Sequence, residues 1–394
     1  MAFQLSHRVQ QIKPSPTLAV TARAAELRAG GKDVIGLGAG EPDFDTPAHI
    51  KAAAIAAINS GFTKYTAVDG IPELKLAIIE KFKRENQLQF GVSQICVSTG
   101  AKQCLFNLTQ ALLNPDDEVI IPAPYWVSYP DMVLLAEAKP VIIAADIKQN
   151  YKITPQQLAQ AITAKTKLIF INSPSNPSGV AYTQQELAGL GEVLRKHPQI
   201  LIATDDMYEH ILWTKQPFSN ILNACPDLYE RTLVFNGVSK AYSMTGWRIG
   251  YVGGPVTLIA AMTNIQSQST SNPTSISQKA AAAALSGDQS FIAEMVKVFK
   301  QRHDVVFDKL TALKGVKCVP ADGTFYLFPD FSEVIERIPG INNDVELAEH
   351  LLNEAGVALV PGSAFGTPGC LRLSFATSME LLNSALDRLR KVTG

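Results

Sequence analysis

The segment TLVFNGVSKAYSMTGWRIG, Thr232 to Gly250, holds the reading that decides the fold. Thr232 to Phe235 is a short apolar run of the kind that forms a strand buried on both faces. It is followed by Ser239, Lys240 and, eight residues on, Arg248, with Tyr242, Met244 and Trp247 between the charges. A solvated surface loop rarely carries such apolar bulk. A lysine held there is partly desolvated, which lowers its pKa and makes its amine a usable nucleophile, while Arg248 stays charged and can grip a phosphate through two donors.

Outward from this segment the pattern repeats. Ile95 to Ser98, Glu118 to Ile121, Leu168 to Asn172, Ile200 to Thr204 and Ile249 to Val252 also read as short buried strands. Helical patterns at Lys102 to Leu113 and Thr183 to Lys196 separate them, the second opened by Thr183 and Glu186 at capping-box spacing. Such alternation predicts an α/β layered domain with a mostly parallel sheet. From about Asp288 a long helical pattern runs to Leu313, then strand-like Phe325 to Phe328, helix-like Asp344 to Ala355 and strand-like Arg372 to Phe375 follow. These predict a smaller α+β domain. The first 48 residues lack a core of their own, so they are expected to pack on it, with Pro14 and Pro16 keeping the entry extended. The expected division is residues 49–287 against 1–48 plus 288–394.

The 394 residues are long for one core. Lys plus Arg (35) nearly balances Asp plus Glu (36), so no nucleic acid or other polyanion is implied. No secretory signal is evident and no stretch approaches the ~18 apolar residues of a membrane span; the expected location is the cytoplasm, away from membranes. Cys96, Cys104, Cys225, Cys318 and Cys370 are scattered without paired spacing, and the histidines are equally dispersed. Reduced packing cysteines and no metal site are expected.

Open α/β sheets bind ligands at the carboxyl ends of their strands. After the first strand comes Gly100-Ala101-Lys102, a small-residue turn opening a helix, whose free N–H groups suit an anion. After the second come Tyr125 and Trp126, rings that could stack on a flat ligand or plug the core. After the third, Asn176 offers an amide at a proline-fixed position. After the fourth, Asp205 emerges from a buried strand with Tyr208 three residues on, and such a carboxylate should face a cation or a protonated nitrogen. With Lys240, Ser239 and Arg248, these ends match the needs of pyridoxal 5′-phosphate (PLP): phosphate donors, a ring stack, an O3′ donor, an anion for the pyridine nitrogen and a Schiff-base amine.

Gly38-Ala39-Gly40-Glu41-Pro42-Asp43-Phe44, Tyr65, Tyr125-Trp126, Asn176-Pro177, Asp205 with Tyr208, Ser239-Lys240, Gly246-Trp247-Arg248-Ile249-Gly250 and Arg372-Leu373-Ser374 together resemble the class I aminotransferases of fold type I, and among them the bacterial aspartate aminotransferases. The likeness spans nearly the whole chain. It implies the fold type I architecture, a large domain with a mostly parallel sheet of about seven strands flanked by helices plus a smaller α+β domain. It further implies that Lys240 carries PLP as a Schiff base and moves the substrate proton, that Asp205 keeps the pyridine nitrogen protonated, and that Tyr208 and Asn176 bond O3′. Trp126 would stack on the ring. Gly100, Ala101, Lys102, Ser239 and Arg248 would hold the phosphate, joined by Tyr65 from a partner subunit, which implies a homodimer with shared active sites. Arg372, with Asn176 and the Gly40 backbone, would clamp the substrate α-carboxylate. Lys102, Ser15 and Thr17 lie where relatives bind a side-chain carboxylate, which favours aspartate and 2-oxoglutarate; prephenate or aromatic amino acids are the alternative, and Lys13 bears on that choice.

Two departures stand out: Asp206 where relatives have glutamate, expected to shorten a supporting contact, and Pro16 where many have alanine, expected to stiffen the entry segment. A β-lyase on the same scaffold would share Lys240, Asp205 and Arg372 but release ammonia and pyruvate. A non-catalytic binder would have lost the lysine or its partners, and none is lost.

Overall fold

The computed structural model describes residues 3–14 and 16–394. Its strands are β1 (Ile35–Gly36), β2 (Ile95–Ser98), β3 (Glu118–Ala123), β4 (Lys139–Ala144), β5 (Thr166–Asn172), β6 (Leu201–Asp205), β7 (Thr232–Gly237), β8 (Gly250–Gly253), β9 (Tyr326–Leu327), β10 (Val357–Ala358), β11 (Val360–Pro361) and β12 (Leu371–Ser374). A seven-stranded sheet runs in the order β2-β8-β7-β6-β5-β3-β4. β4, β3, β5, β6 and β7 are parallel, and β8 is antiparallel to both of its neighbours.

Strand alternation splits the apolar side chains between two faces. Ile95, Val97, Ile120, Ile169, Ile202 and Val234 join one core, with Leu187, Leu190 and Leu194 of the helix Gln184–Arg195 and Leu74 and Ile78 of the helix Pro72–Lys81. Cys96, Val119, Ile121, Phe170, Ala203 and Phe235 join the other, with Leu105 and Leu108 of the helix Ala101–Leu112. Each fully buried aliphatic contributes about 1.5–3 kcal/mol relative to exposure. The helix Gln184–Arg195 opens with the capping box read from the sequence: Thr183 Oγ1 accepts from the Glu186 N–H and the Glu186 side chain accepts from the Thr183 N–H.

Two features differ from the sequence reading. β4 is a strand the reading missed: it lies at the sheet edge, is largely exposed and carries Pro140, so it lacks the buried apolar signature. Pro16 does not keep the chain extended; it opens the helix Pro16–Ala29 as its first residue, where a missing N–H costs nothing.

In the C-terminal part β11-β12-β9 form an antiparallel sheet, packed with the long helix Ser290–Thr311 and the helix Met379–Thr393. The N-terminal segment joins it: β1 pairs in parallel with β10, the Ser374 N–H donates to Leu37 O at 2.8 Å, and Ile35 and Leu37 enter the core of Phe299, Leu371 and Leu373. On this packing we propose that 1–48 and 288–394 form one small domain against 49–287. All five cysteines are free. Among the described residues no helix is long and apolar enough to cross a membrane.

Candidate active site

The carboxyl ends of the parallel strands and the amino end of the antiparallel β8 lie on one side of the sheet, where a cavity of about 440 Å³ opens. Its walls include Gly40, Ala101, Lys102, Trp126, Asn176, Asp205, Tyr208, Ser239, Lys240, Arg248, Arg372 and Thr17. Nearly every residue singled out from the sequence therefore meets in one place. The reversal of β8 explains the pairing of Lys240 with Arg248: the first leaves β7 and the second enters β8, with Gly237 opposite Gly250.

Lys240 Nζ donates to Gly40 O and lies 5.9 Å from the Tyr208 ring centre. Burial first, then the positive charges of Arg372 and Arg248, push its pKa down to about 8, against the opposing pull of Glu41 and Asp205. Asp205 is 6% exposed; its Oδ2 accepts from the Tyr129 hydroxyl at 2.6 Å and its Oδ1 from the Met207 N–H at 3.3 Å. Burial raises its pKa, and those two donors and Lys240 restrain the rise. The Tyr208 and Tyr326 hydroxyls share a hydrogen bond of 3.0 Å.

At the opposite wall Arg372 is 2% exposed, sandwiched between the rings of Tyr326 (4.5 Å) and Phe365 (5.0 Å). Its Nη1 donates to Asn176 Oδ1 at 2.8 Å and its Nη2 to Gly38 O at 2.7 Å, while Nε has no partner among the described residues. The sequence reading assigned the Gly40 backbone to the substrate clamp beside Arg372; Gly40 lines the same cavity, with its carbonyl accepting from Lys240, and it is Gly38 O that bonds Arg372 itself.

The helix Ala101–Leu112 has no side-chain cap, so its first N–H groups are free to meet an anion. Gly100 has φ of +82°, and a Cβ there would collide with the Arg248 guanidinium. Lys102 Nζ sits 4.9 Å from the Trp126 ring centre, and burial, then Arg248, lower its pKa. Thr17 Oγ1 is buried without a partner among the described residues. Ser15 lies outside the described residues. Tyr65 is 91% exposed and does not line this chain's own cavity.

Three contributors were not read from the sequence. Tyr129 and Tyr326 are found by their hydroxyl partners, which only the tertiary fold supplies; the three-residue step from Trp126 to Tyr129 was the one local signal for the first. Glu41 accepts from Thr245 Oγ1 at 2.8 Å and adds negative charge near Lys240. Asp206 faces away from the cavity: it accepts from Thr204 Oγ1 (2.6 Å) and Asn220 Nδ2 (2.8 Å), and burial, with Glu209 nearby, raises its pKa to about 7. Glu85, Glu209 and His210 also cluster, but the Lys81 ammonium already bonds Glu209 and lies 3.6 Å from Glu85.

The model of the family "aminotransferase class I and II" matches residues 32–389. The chain belongs to that family. This aminotransferase is 60% identical over 392 residues to the aspartate/prephenate aminotransferase of Nitrosomonas europaea, covering 98% of this chain and 99% of the relative. It is similar to the crystal structure of the aspartate aminotransferase from Rhizobium meliloti, with TM-score 0.96, 49% identity and coverage of 100% and 99% of the two chains. It is also similar to the aspartate aminotransferase of Thermus thermophilus solved with maleate, with TM-score 0.94, 43% identity and coverage of 99% and 100%. The aminotransferase thus has the fold type I architecture, an enzyme's cavity at its sheet ends and the seven-stranded, mostly parallel sheet.

Proposed function

We propose that this aminotransferase uses PLP to move the amino group of L-aspartate to 2-oxoglutarate, giving oxaloacetate and L-glutamate. The observation that carries the reading is Arg372: a buried guanidinium that, among the described residues, bonds neutral oxygens and leaves its Nε without a partner, in the same cavity as a lysine of lowered pKa. A buried cation needs an anion, and a planar fork suits a carboxylate.

The residues present fit PLP. The uncapped helix start at Ala101 and Lys102, Ser239 and Arg248 would hold its phosphate, and the cradle at Gly100 leaves no room for a side chain there. Asp205 would meet the ring nitrogen, Tyr208 and Asn176 the O3′ oxygen, and Trp126 the ring face. When bound, PLP supplies an aldehyde within reach of an amine and a protonated ring that draws electrons from the substrate Cα.

The chain's own groups do the rest. Arg372 and Asn176 orient the α-carboxylate, so that Cα–H points at Lys240 Nζ. Lys240 Nζ, deprotonated more readily than an ordinary lysine because its pKa is lowered to about 8, would take up that proton and later return one. Asp205 holds a proton at the ring nitrogen. The substrate's second carboxylate would meet Lys102 and Thr17, with Ser15 expected there too. Tyr65 would reach the phosphate of a partner subunit's site in a homodimer.

Prephenate as an alternative amino acceptor is favoured by the names of the relatives from Nitrosomonas europaea and Cereibacter sphaeroides. Steady-state assays with L-aspartate and 2-oxoglutarate test the main reading, and prephenate as acceptor tests the second. Oxaloacetate and glutamate formed in equal amounts support it; no amino transfer from aspartate, with pyruvate and ammonia released from a cysteine conjugate whose thiol leaves from Cβ, overturns it in favour of a lyase.

A further inference from the structure

The constellation above leaves Tyr129 without a role. This residue lies in the first turn of the helix Ser128–Leu135, is 1% exposed, and donates its hydroxyl hydrogen to Asp205 Oδ2 at 2.6 Å. Its ring is held on two sides: stacked on Phe170 of β5 (centres 4.6 Å apart, planes at 7°) and edge-on to Trp126 (5.4 Å, 85°). Among the described residues Asp205 is the hydroxyl's acceptor. Asp205 in turn depends on it, because its other oxygen receives only the longer bond from the Met207 N–H. An ionised carboxylate this deep is stable only while hydrogen-bonded, and a phenol donor favours the charged form.

We infer that Tyr129 is a positioning residue for amino transfer: it keeps Asp205 ionised and aimed at the cavity, and through Trp126 ties that aim to the face on which the cofactor ring rests. The inference rests on the PLP reading. Phe170 and Trp126 make the ring a fixed strut, so replacing the hydroxyl alone removes the donor without removing the packing.

The test is a double-mutant cycle on the full-length enzyme, comparing wild type, Tyr129→Phe, Asp205→Asn and the double variant. PLP retention is measured by equilibrium dialysis, and cofactor-free stability by urea unfolding. Tyr129→Phe is expected to weaken retention by about ten- to a hundredfold, the range for a hydrogen bond to a charged group, and to change it by less than about twofold when Asp205 is already Asn. Urea unfolding is expected to show the same coupling between positions 129 and 205. Equal losses in both backgrounds, or no loss in either, would overturn the inference. Failure of the wild type to bind PLP would instead overturn the functional reading, while the urea cycle would still report on the bond itself.

Discussion

Lys240 is the residue on which the chemistry turns, and its environment gives a signed prediction. With its pKa pushed down to about 8 by burial and by Arg372 and Arg248, the amine is mostly protonated and unreactive at pH 7 and mostly neutral at pH 9. The rate at which cofactor-free enzyme takes up PLP should therefore rise between pH 7 and 9 and level off above; a flat profile would contradict the lowered pKa. Arg372→Lys keeps the charge and loses the fork, so KM for the amino donor should rise about ten- to a hundredfold, checked by steady-state kinetics with aspartate. At this scale the sequence was informative where a polar residue ends or closely follows a buried strand, as with Asp205 at the end of β6 and Lys240 three residues beyond β7. It gave only the three-residue step from Trp126 for Tyr129 and nothing for Tyr326, because a phenol reads as core until its partner across the fold is known.

Glycine places the elements around the cavity. A Cβ on Gly250 would overlap the backbone nitrogen of Ala101, so the amino end of β8 and the start of the helix Ala101–Leu112 can touch only with glycine there. Gly250→Ala should cost about 1–3 kcal/mol in urea unfolding and loosen anion binding at that helix start; unchanged stability would contradict the close approach. The buried strands were legible from apolar runs alone. The edge strand β4 was not, because Pro140 and an exposed face hide it. The direction of β8 was not legible either: nothing in Ile249 to Val252 tells parallel from antiparallel, and the short link from β7, with no crossover helix, was the available clue.

For the whole molecule, the N-terminal strand β1 pairs with the C-terminal β10 across the length of the chain, so the Gly38 carbonyl and Arg372 meet although 334 positions separate them. The sequence reading did not reach that contact, naming the Gly40 backbone for the clamp instead, because no local pattern links residues so distant. Tyr65, exposed at 91%, is explained if it serves a second subunit. The enzyme should therefore sediment at twice its chain mass, and Tyr65→Phe should weaken PLP retention without changing that mass; a monomer that binds PLP at full strength would contradict shared sites. The most direct measurement for the central claim is a single-turnover assay: PLP-loaded enzyme and Lys240→Ala, each mixed with L-aspartate and no 2-oxo acid. One oxaloacetate per site from the wild type, at a rate at least about a hundredfold above the variant's, is the predicted result. No oxaloacetate from the wild type, or equal rates from both, would contradict it.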